Sequence, residues 1–221
     1  MIIKRPKVSW LGSIYIGTEA EQLYTSLLSI LNQKGVIPYE IVLVFDGQVT
    51  AEVQTIIINL KKSNDLLNVY KLSENKGLGS ALNFGLSKCK GNLIARFDTD
   101  DVNHSNRLQS QVKFMDANPQ ISVLCSSAYE FKSSSKEKFV HCQVRKACYG
   151  FLIKYLLSFK NPINHPTVMF RKKDILESKG YPNQKFFEDY LLWLKMRRNK
   201  YQFLLVVKLI FDLHHNQIQG L

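Results

Sequence analysis

No stretch of the 221-residue chain approaches the ~20 consecutive apolar residues that a bilayer-crossing helix needs. The longest apolar run, 203–211, is broken by Lys208. The opening Met1-Ile-Ile-Lys-Arg-Pro6 lacks the long apolar core of a secretion signal, which predicts a cytoplasmic chain. Cysteine is scarce. Cys89, Cys125, Cys142 and Cys148 form no CxxC pair, and the last two are not at a zinc spacing, so structural thiols are expected. A dinucleotide fingerprint is also missing, because Leu82 stands where the third glycine after Gly77 and Gly79 would fall. Acids are the minority charge, 18 Asp and Glu against 30 Lys and Arg, giving a net +12. That surplus favours a polyanionic partner: nucleic acid, an anionic lipid leaflet or a phosphate-bearing substrate. Nucleic acid is disfavoured, since the chain has neither an aromatic-rich RNA motif nor a recognition-helix pattern.

What is present is an ordinary globular composition, 45% hydrophobic and 22% charged, arranged in alternating strands and helices. Apolar runs over 8–15, 40–45, 67–72 and 93–97 read as buried strands. Between them, apolar residues recur at helical spacings: Leu23, Leu27 and Leu31, then Val53, Ile56, Ile57 and Leu60, then Leu78, Leu82 and Leu86. Thr50 is placed to cap the second of these helices. Such alternation predicts an α/β fold with a mainly parallel sheet and helices on both faces. Further on, a helix is expected over 105–118, a strand over 122–126, and a hairpin with its tip at 133–136. A helix over 151–159, a strand over 167–170 and short helices from 173 and 188 follow, before terminal strands over 202–207 and 209–213. With no linker in view, one domain spans 1–221.

Polar residues gather at the ends of these elements. Asp46 follows strand two, Asn75 precedes helix three, Asp98-Thr-Asp100-Asp101 follows strand four, Asp189 opens a late helix, and His214 follows the last strand. In an extended chain Asp98 and Asp100 point the same way, offering two oxygen ligands to Mg2+ or Mn2+. The same four residues also suit an acidic turn in which Asp101 caps the next helix. If the first four strands are parallel neighbours, Asp46, Asn75 and the acidic cluster converge where open α/β sheets bind nucleotides.

Taken in order, these segments resemble the family 2 inverting glycosyltransferases of the GT-A fold, as found in bacterial O-antigen, capsule and amylovoran synthesis. The resemblance rests on Val8-Ser-Trp-Leu-Gly-Ser-Ile-Tyr15, Ser29-Ile-Leu-Asn-Gln33, Glu40-Ile-Val-Leu-Val-Phe-Asp46-Gly and Asn75-Lys-Gly-Leu-Gly-Ser-Ala-Leu-Asn83-Phe-Gly. It continues through Ala95-Arg-Phe-Asp-Thr-Asp-Asp101, Asn106-Arg107, Asn164-His165-Pro-Thr-Val-Met-Phe-Arg171 and Phe187-Glu-Asp-Tyr-Leu-Leu-Trp193. It implies a nucleotide-sugar-binding half, 1–101, and an acceptor-binding half, 102–221. Asp46 would accept a hydrogen bond from the uracil of a UDP-sugar, with Tyr15 and the backbone near Ser13 lining the same pocket. Asn75, Lys76 and Arg96 would lie near the phosphates or donor sugar. Asp98 would contact ribose or metal. Asp100 and His214 would hold Mn2+ or Mg2+ on the diphosphate, and Asp189 would be the catalytic base. His165 and Glu188 would fall on the acceptor side. The implied acceptor is a lipid-diphosphate-linked saccharide at the inner face of the bacterial membrane, with the basic surplus docking the enzyme there.

Some positions depart from that pattern. Phe45 replaces the first of two adjacent acids after strand two, Thr18 replaces an acid after strand one, and Asp212 stands where an arginine commonly precedes the terminal histidine. The chain also ends soon after His214. These departures leave a second expectation open, a UDP-sugar-binding partner with impaired catalysis.

Overall fold

The computed structural model describes residues 7–134, 137–145, 150–199 and 201–206. Strands β1 (Val8–Ile14), β2 (Glu40–Phe45), β3 (Leu67–Lys71) and β4 (Leu93–Arg96) alternate with helices α1 (Ala20–Leu31), α2 (Ala51–Ser63) and α3 (Leu78–Lys88). After β4 come α4 (Arg107–Ala117), β5 (Val123–Ser126), a hairpin of β6 (Ala128–Ser134) and β7 (Glu137–Arg145), and α5 (Gly150–Leu156). A 3₁₀ turn (His165–Thr167), β8 (Met169–Arg171), α6 (Lys172–Glu177), α7 (Glu188–Arg198) and β9 (Phe203–Val206) follow.

One seven-stranded sheet has the order β3-β2-β1-β4-β8-β5-β9. β8 runs antiparallel to β4 and β5, and the other pairings are parallel. Its strands carry near-continuous apolar runs because both faces are covered. On one face Trp10, Ile14, Leu43, Ala95 and Phe97 meet Leu23 and Leu27 of α1, Val53 and Ile57 of α2, and Leu108 and Met115 of α4. On the other, Leu11, Val42, Val44, Ile94 and Phe170 meet Leu82 and Leu86 of α3, Ile175 of α6, and Leu192, Trp193 and Met196 of α7. Trp193 is fully buried core, as its helical spacing predicts. Thr50 caps α2 by accepting the Val53 amide at 3.3 Å. Among the described residues no helix is long and apolar enough to cross a membrane.

Three boundaries differ from the sequence reading. α4 starts at Arg107 behind Asn106, so Asp101 is five residues too early to cap it and belongs to the loop instead. The 167–170 strand starts at Met169, because Thr167 turns back to the Asn164 carbonyl through both its amide (3.0 Å) and its hydroxyl (2.8 Å). The 151–159 helix stops at Leu156 and ends in a turn. The terminal strand expected over 209–213 lies outside the described residues, as do His214 and Asp212.

Arg107 ties the fold to the acidic loop. Its guanidinium donates to the Arg96 carbonyl (2.9 Å), the Val168 carbonyl (3.2 Å), Gln111 (3.2 Å) and Asn103, and stacks over the Trp10 ring. Burial lowers its pKa to about 9, which still leaves it charged at neutral pH. Every nitrogen is engaged with protein, so Arg107 is structural. Arg107→Leu would orphan two buried carbonyls, and we expect a loss of roughly 2–4 kcal/mol in urea unfolding. Lys113→Leu on the exposed face of α4 should stay within about 0.5 kcal/mol; equal effects from the two variants would contradict this role.

Candidate active site

The order β3-β2-β1-β4 reverses direction of chain progress at β1, and a crevice opens beyond the carboxyl ends of these parallel strands, as in other open α/β sheets. The concavity there measures about 530 Å3. Ser13 of β1, Tyr15, Thr18 and Glu19 of the following turn, and Gln22 of α1 form one side; Asp46 enters from the end of β2, and Asn75, Gly77 and Leu78 from the start of α3. Asp98, Thr99 and Asp100 line the opposite wall, and Lys185 and Phe186 reach in from the segment before α7. The expected convergence of Asp46, Asn75 and the acidic cluster is therefore observed.

Each wall is held by a specific local device. The Tyr15 amide donates to the Thr18 hydroxyl (3.0 Å) and the Thr18 amide returns to the Tyr15 carbonyl (3.0 Å), closing the first turn. Asp46 is buried, and its two oxygens accept the amides of Lys76 (2.7 Å) and Gly77 (2.9 Å). It thus anchors the start of α3, with lone pairs remaining for a ligand. Gly47 is required beside it: its φ is +82°, and a Cβ there would come within 2.7 Å of the Asn75 amide nitrogen. The Lys76 ammonium sits 3.6 Å from Glu74, and only its backbone meets Asp46.

The acidic loop is strapped to α1, which accounts for the Ser29-to-Gln33 motif. Ser26 donates to the Asp98 carbonyl (2.9 Å), and Ser29 accepts the Asn103 amide (2.9 Å). Gln33 donates to the His104 carbonyl (2.9 Å) and accepts the Leu108 amide (2.8 Å). Below the loop, Arg96 has no solvent exposure and reaches the pocket only through Asp98, whose Oδ1 lies 2.5 Å from its Nη2. Its Nε and Nη1 have no hydrogen-bond partner among the described residues. Asp100 is exposed and directed to the concavity. Asp101 is exposed in outline, yet burial of its carboxyl pushes it up to about 6, with the Asp98 and Asp100 charges adding to the rise.

α3 also fixes the approach to α7. Asn83 grips the Tyr181 backbone twice, at 2.8 Å each way, and Gly79 lets the helix pack against the Pro182 carbonyl and Glu188. Phe187 adopts a left-handed conformation (φ 61°) just before the helix, turning the chain so that Glu188 is buried and Asp189 half-buried. Asp189 Oδ2 accepts the Asn161 amide group (2.7 Å) and Oδ1 the Tyr190 amide (2.7 Å). Burial raises its pKa above the ordinary aspartate value, against these hydrogen bonds and the Arg96 charge. Glu188 is raised likewise, chiefly by burial. His165 sits inside, 3.0 Å from the Tyr181 hydroxyl and edge-on to Trp193.

Asn161, Gln22, Lys185 and Phe186 escaped the sequence reading. Asn161 looks like part of a proline loop, and nothing in the spacing of the other three distinguishes them from surface residues. Among the described residues no three acidic, histidine or cysteine side chains group closely enough to hold a metal alone. Asp98 and Asp100 nonetheless suit a hard cation that takes one or two carboxylates and completes its shell with substrate phosphates.

Solved structures share this architecture, among them two determined with a nucleotide sugar bound. Staphylococcus aureus TarS residues 1–349, in complex with UDP-GlcNAc, aligns with a TM-score of 0.67 and 24% identity, covering 91% of this chain and 56% of that one. The mannosyltransferase PcManGT of Pyrobaculum calidifontis, in complex with GDP-Man and Mn2+, aligns with a TM-score of 0.67 and 16% identity over 98% and 61%. The description "Glycosyl transferase family 2" matches residues 15–179, and the chain belongs to that family. It is 36% identical to the UDP-Gal:alpha-D-GlcNAc-diphosphoundecaprenol beta-1,3-galactosyltransferase of Escherichia coli, over 88% of this chain and 69% of that protein. It is also 33% identical to the amylovoran biosynthesis glycosyltransferase AmsE of Erwinia amylovora, over 85% and 68%. The fold is the GT-A type, as expected.

His165 gives the site a pH signature. Burial, with the Arg96 charge adding, holds its imidazole well below the ordinary value of 6.5. The unfolded chain takes up this proton below about pH 6.5 while the folded one resists, so stability falls as pH drops through that point. The raised carboxyls of Asp101 and Asp189 act in the opposite sense and are common to wild type and variant. The urea midpoint of His165→Gln should therefore lose less than wild type between pH 7 and pH 5; parallel profiles would refute a buried neutral His165.

Proposed function

We propose that this glycosyltransferase is metal-dependent and inverting, moving one hexose from a UDP-sugar to a lipid-diphosphate-linked saccharide at the inner face of the bacterial membrane. The observation that carries this reading is one acidic crevice holding Asp46, Asp98 and Asp100, lined also by Lys185 and Phe186 from the segment that leads into the Asp189 helix. The UDP-sugar ligand of TarS and the diphosphoundecaprenol acceptor named for the E. coli relative support it. Residues 1–101 act as the nucleotide-sugar-binding half and 102–221 as the acceptor-binding half, with Lys185 and Phe186 crossing into the donor crevice.

In this mechanism Asp46 accepts from the uracil ring while keeping its hold on α3, and Tyr15 lines the base pocket. Asn75 faces the donor phosphates or sugar. Lys76 serves through its backbone, and Arg96 serves by fixing Asp98. Asp100 and Asp98 would hold Mn2+ or Mg2+, with His214 as a further ligand. A cation there supplies positive charge opposite the negative charge that develops on the leaving UDP. The acceptor hydroxyl forms the new bond at the anomeric carbon on the face opposite the breaking C–O bond, and its proton passes to the Asp189 carboxylate. Asn161 and the Tyr190 amide hold that carboxylate in place, and its raised pKa makes it a better base than an exposed aspartate. Glu188 packs behind it against Gly79, and His165 supports the acceptor wall from within.

The test is UDP release from a panel of UDP-hexoses with a GlcNAc-diphosphate-lipid acceptor, with Mn2+ or with EDTA. Turnover should require the metal, and Asp189→Asn should keep UDP binding while transfer drops on the order of 10²–10⁴-fold. Robust turnover in EDTA, or near-normal transfer by Asp189→Asn, would overturn the mechanism. UDP binding without turnover for any donor would instead favour a catalytically impaired binding partner.

A further inference from the structure

The donor crevice is short of positive charge. Among the described residues that line it, Glu19, Asp46, Asp98 and Asp100 are acids and Lys185 is the one cation. Arg96 is wholly buried behind Asp98, and the Lys76 ammonium lies 3.6 Å from Glu74. A divalent cation on Asp98 and Asp100 offsets the two carboxylates that hold it, so the charge of a diphosphate would remain to be met. Lys185 is exposed, and it makes no ion pair among the described residues although it shares the wall with four carboxylates. Its charge is available to a ligand.

We propose that Lys185 binds the sugar-bearing phosphate of the donor, the phosphate that becomes the free end of UDP; the assignment rests on the transferase reading above. Two observations place the charge. The Lys185 ammonium stands 5.9 Å from the centroid of the Phe186 ring, and Phe186 lines the same crevice, so the ammonium lies at the wall. The chain that carries it is fastened to the start of α3. Ser80 donates to the Asn183 side chain (3.2 Å), Asn83 grips the Tyr181 backbone, and Gly79 packs on the Pro182 carbonyl. Asp46 holds the same helix start through the Lys76 and Gly77 amides, so one element positions both the nucleotide-side acid and the lysine. Lysine suits this task as a compact point charge on a flexible stem. It can stay with the phosphate as the anomeric C–O bond breaks and its electron pair moves onto the phosphate oxygen.

UDP and UMP are titrated separately into the full chain with Mn2+, for wild type and for Lys185→Met. UMP keeps the base, the ribose and the first phosphate, and lacks the phosphate assigned to Lys185. The expected result is about tenfold weaker UDP binding by the variant, with UMP affinity equal in the two proteins. Equal UDP affinity in both proteins would overturn the assignment while leaving the transferase reading intact. An equal loss for UMP and UDP would also overturn it, because a residue that only shapes the crevice weakens both ligands alike. Failure of wild type to bind UDP would overturn the transferase reading, and the assignment with it.

Discussion

The guanidinium of Arg96 is the constraint on which both halves of the site depend. It is wholly buried, and withdrawing such a charge from water costs several kcal/mol unless a partner answers it. Asp98 is that partner, through one short hydrogen bond, while Nε and Nη1 find no acceptor among the described residues. Its field reaches the acceptor side as well, opposing the rise at Glu188 and Asp189 and adding to the burial that keeps His165 neutral. A single buried cation therefore orients the nucleotide-side carboxylate and tempers the proposed base.

Around that charge the helices act as clamps. α1 secures the acidic loop from above through Ser26, Ser29 and Gln33, and Arg107 secures the strand end below it. α3 is held at its start by Asp46 and in turn holds the Tyr181 backbone, from which the chain runs to Asp189. The donor crevice and the segment leading to Asp189 are thus joined through side-chain-to-backbone hydrogen bonds that are in place without a ligand. Such prior organisation is what lets charges act at the moment of reaction without rearranging first.

Much of this was legible in the sequence, for definable reasons. Buried parallel strands write themselves as continuous apolar runs, so β1 to β4 and the convergence of Asp46, Asn75 and Asp98 could be read directly. The ordered motifs carried the family. Side-chain depth was not legible: a strand-end arginine such as Arg96 looks the same whether it meets substrate or, as here, stands wholly buried behind Asp98. Asp101 read as a cap because its residue type fits one, although the chain continues as a loop to Asn106. Lys185 and Phe186, from the α6–α7 connection, and Asn161, from the α5–β8 connection, reach their places by tertiary packing, which leaves no periodic trace.

The central claim is that the acidic crevice holds UDP through a cation on Asp100 and Asp98. Calorimetric titration of UDP into wild type and Asp100→Asn, each with Mn2+ and with EDTA, tests it most directly. The account predicts tight binding only for wild type with Mn2+, with Asp100→Asn reduced to the EDTA level in both conditions. Equal UDP affinity in all four titrations would contradict it.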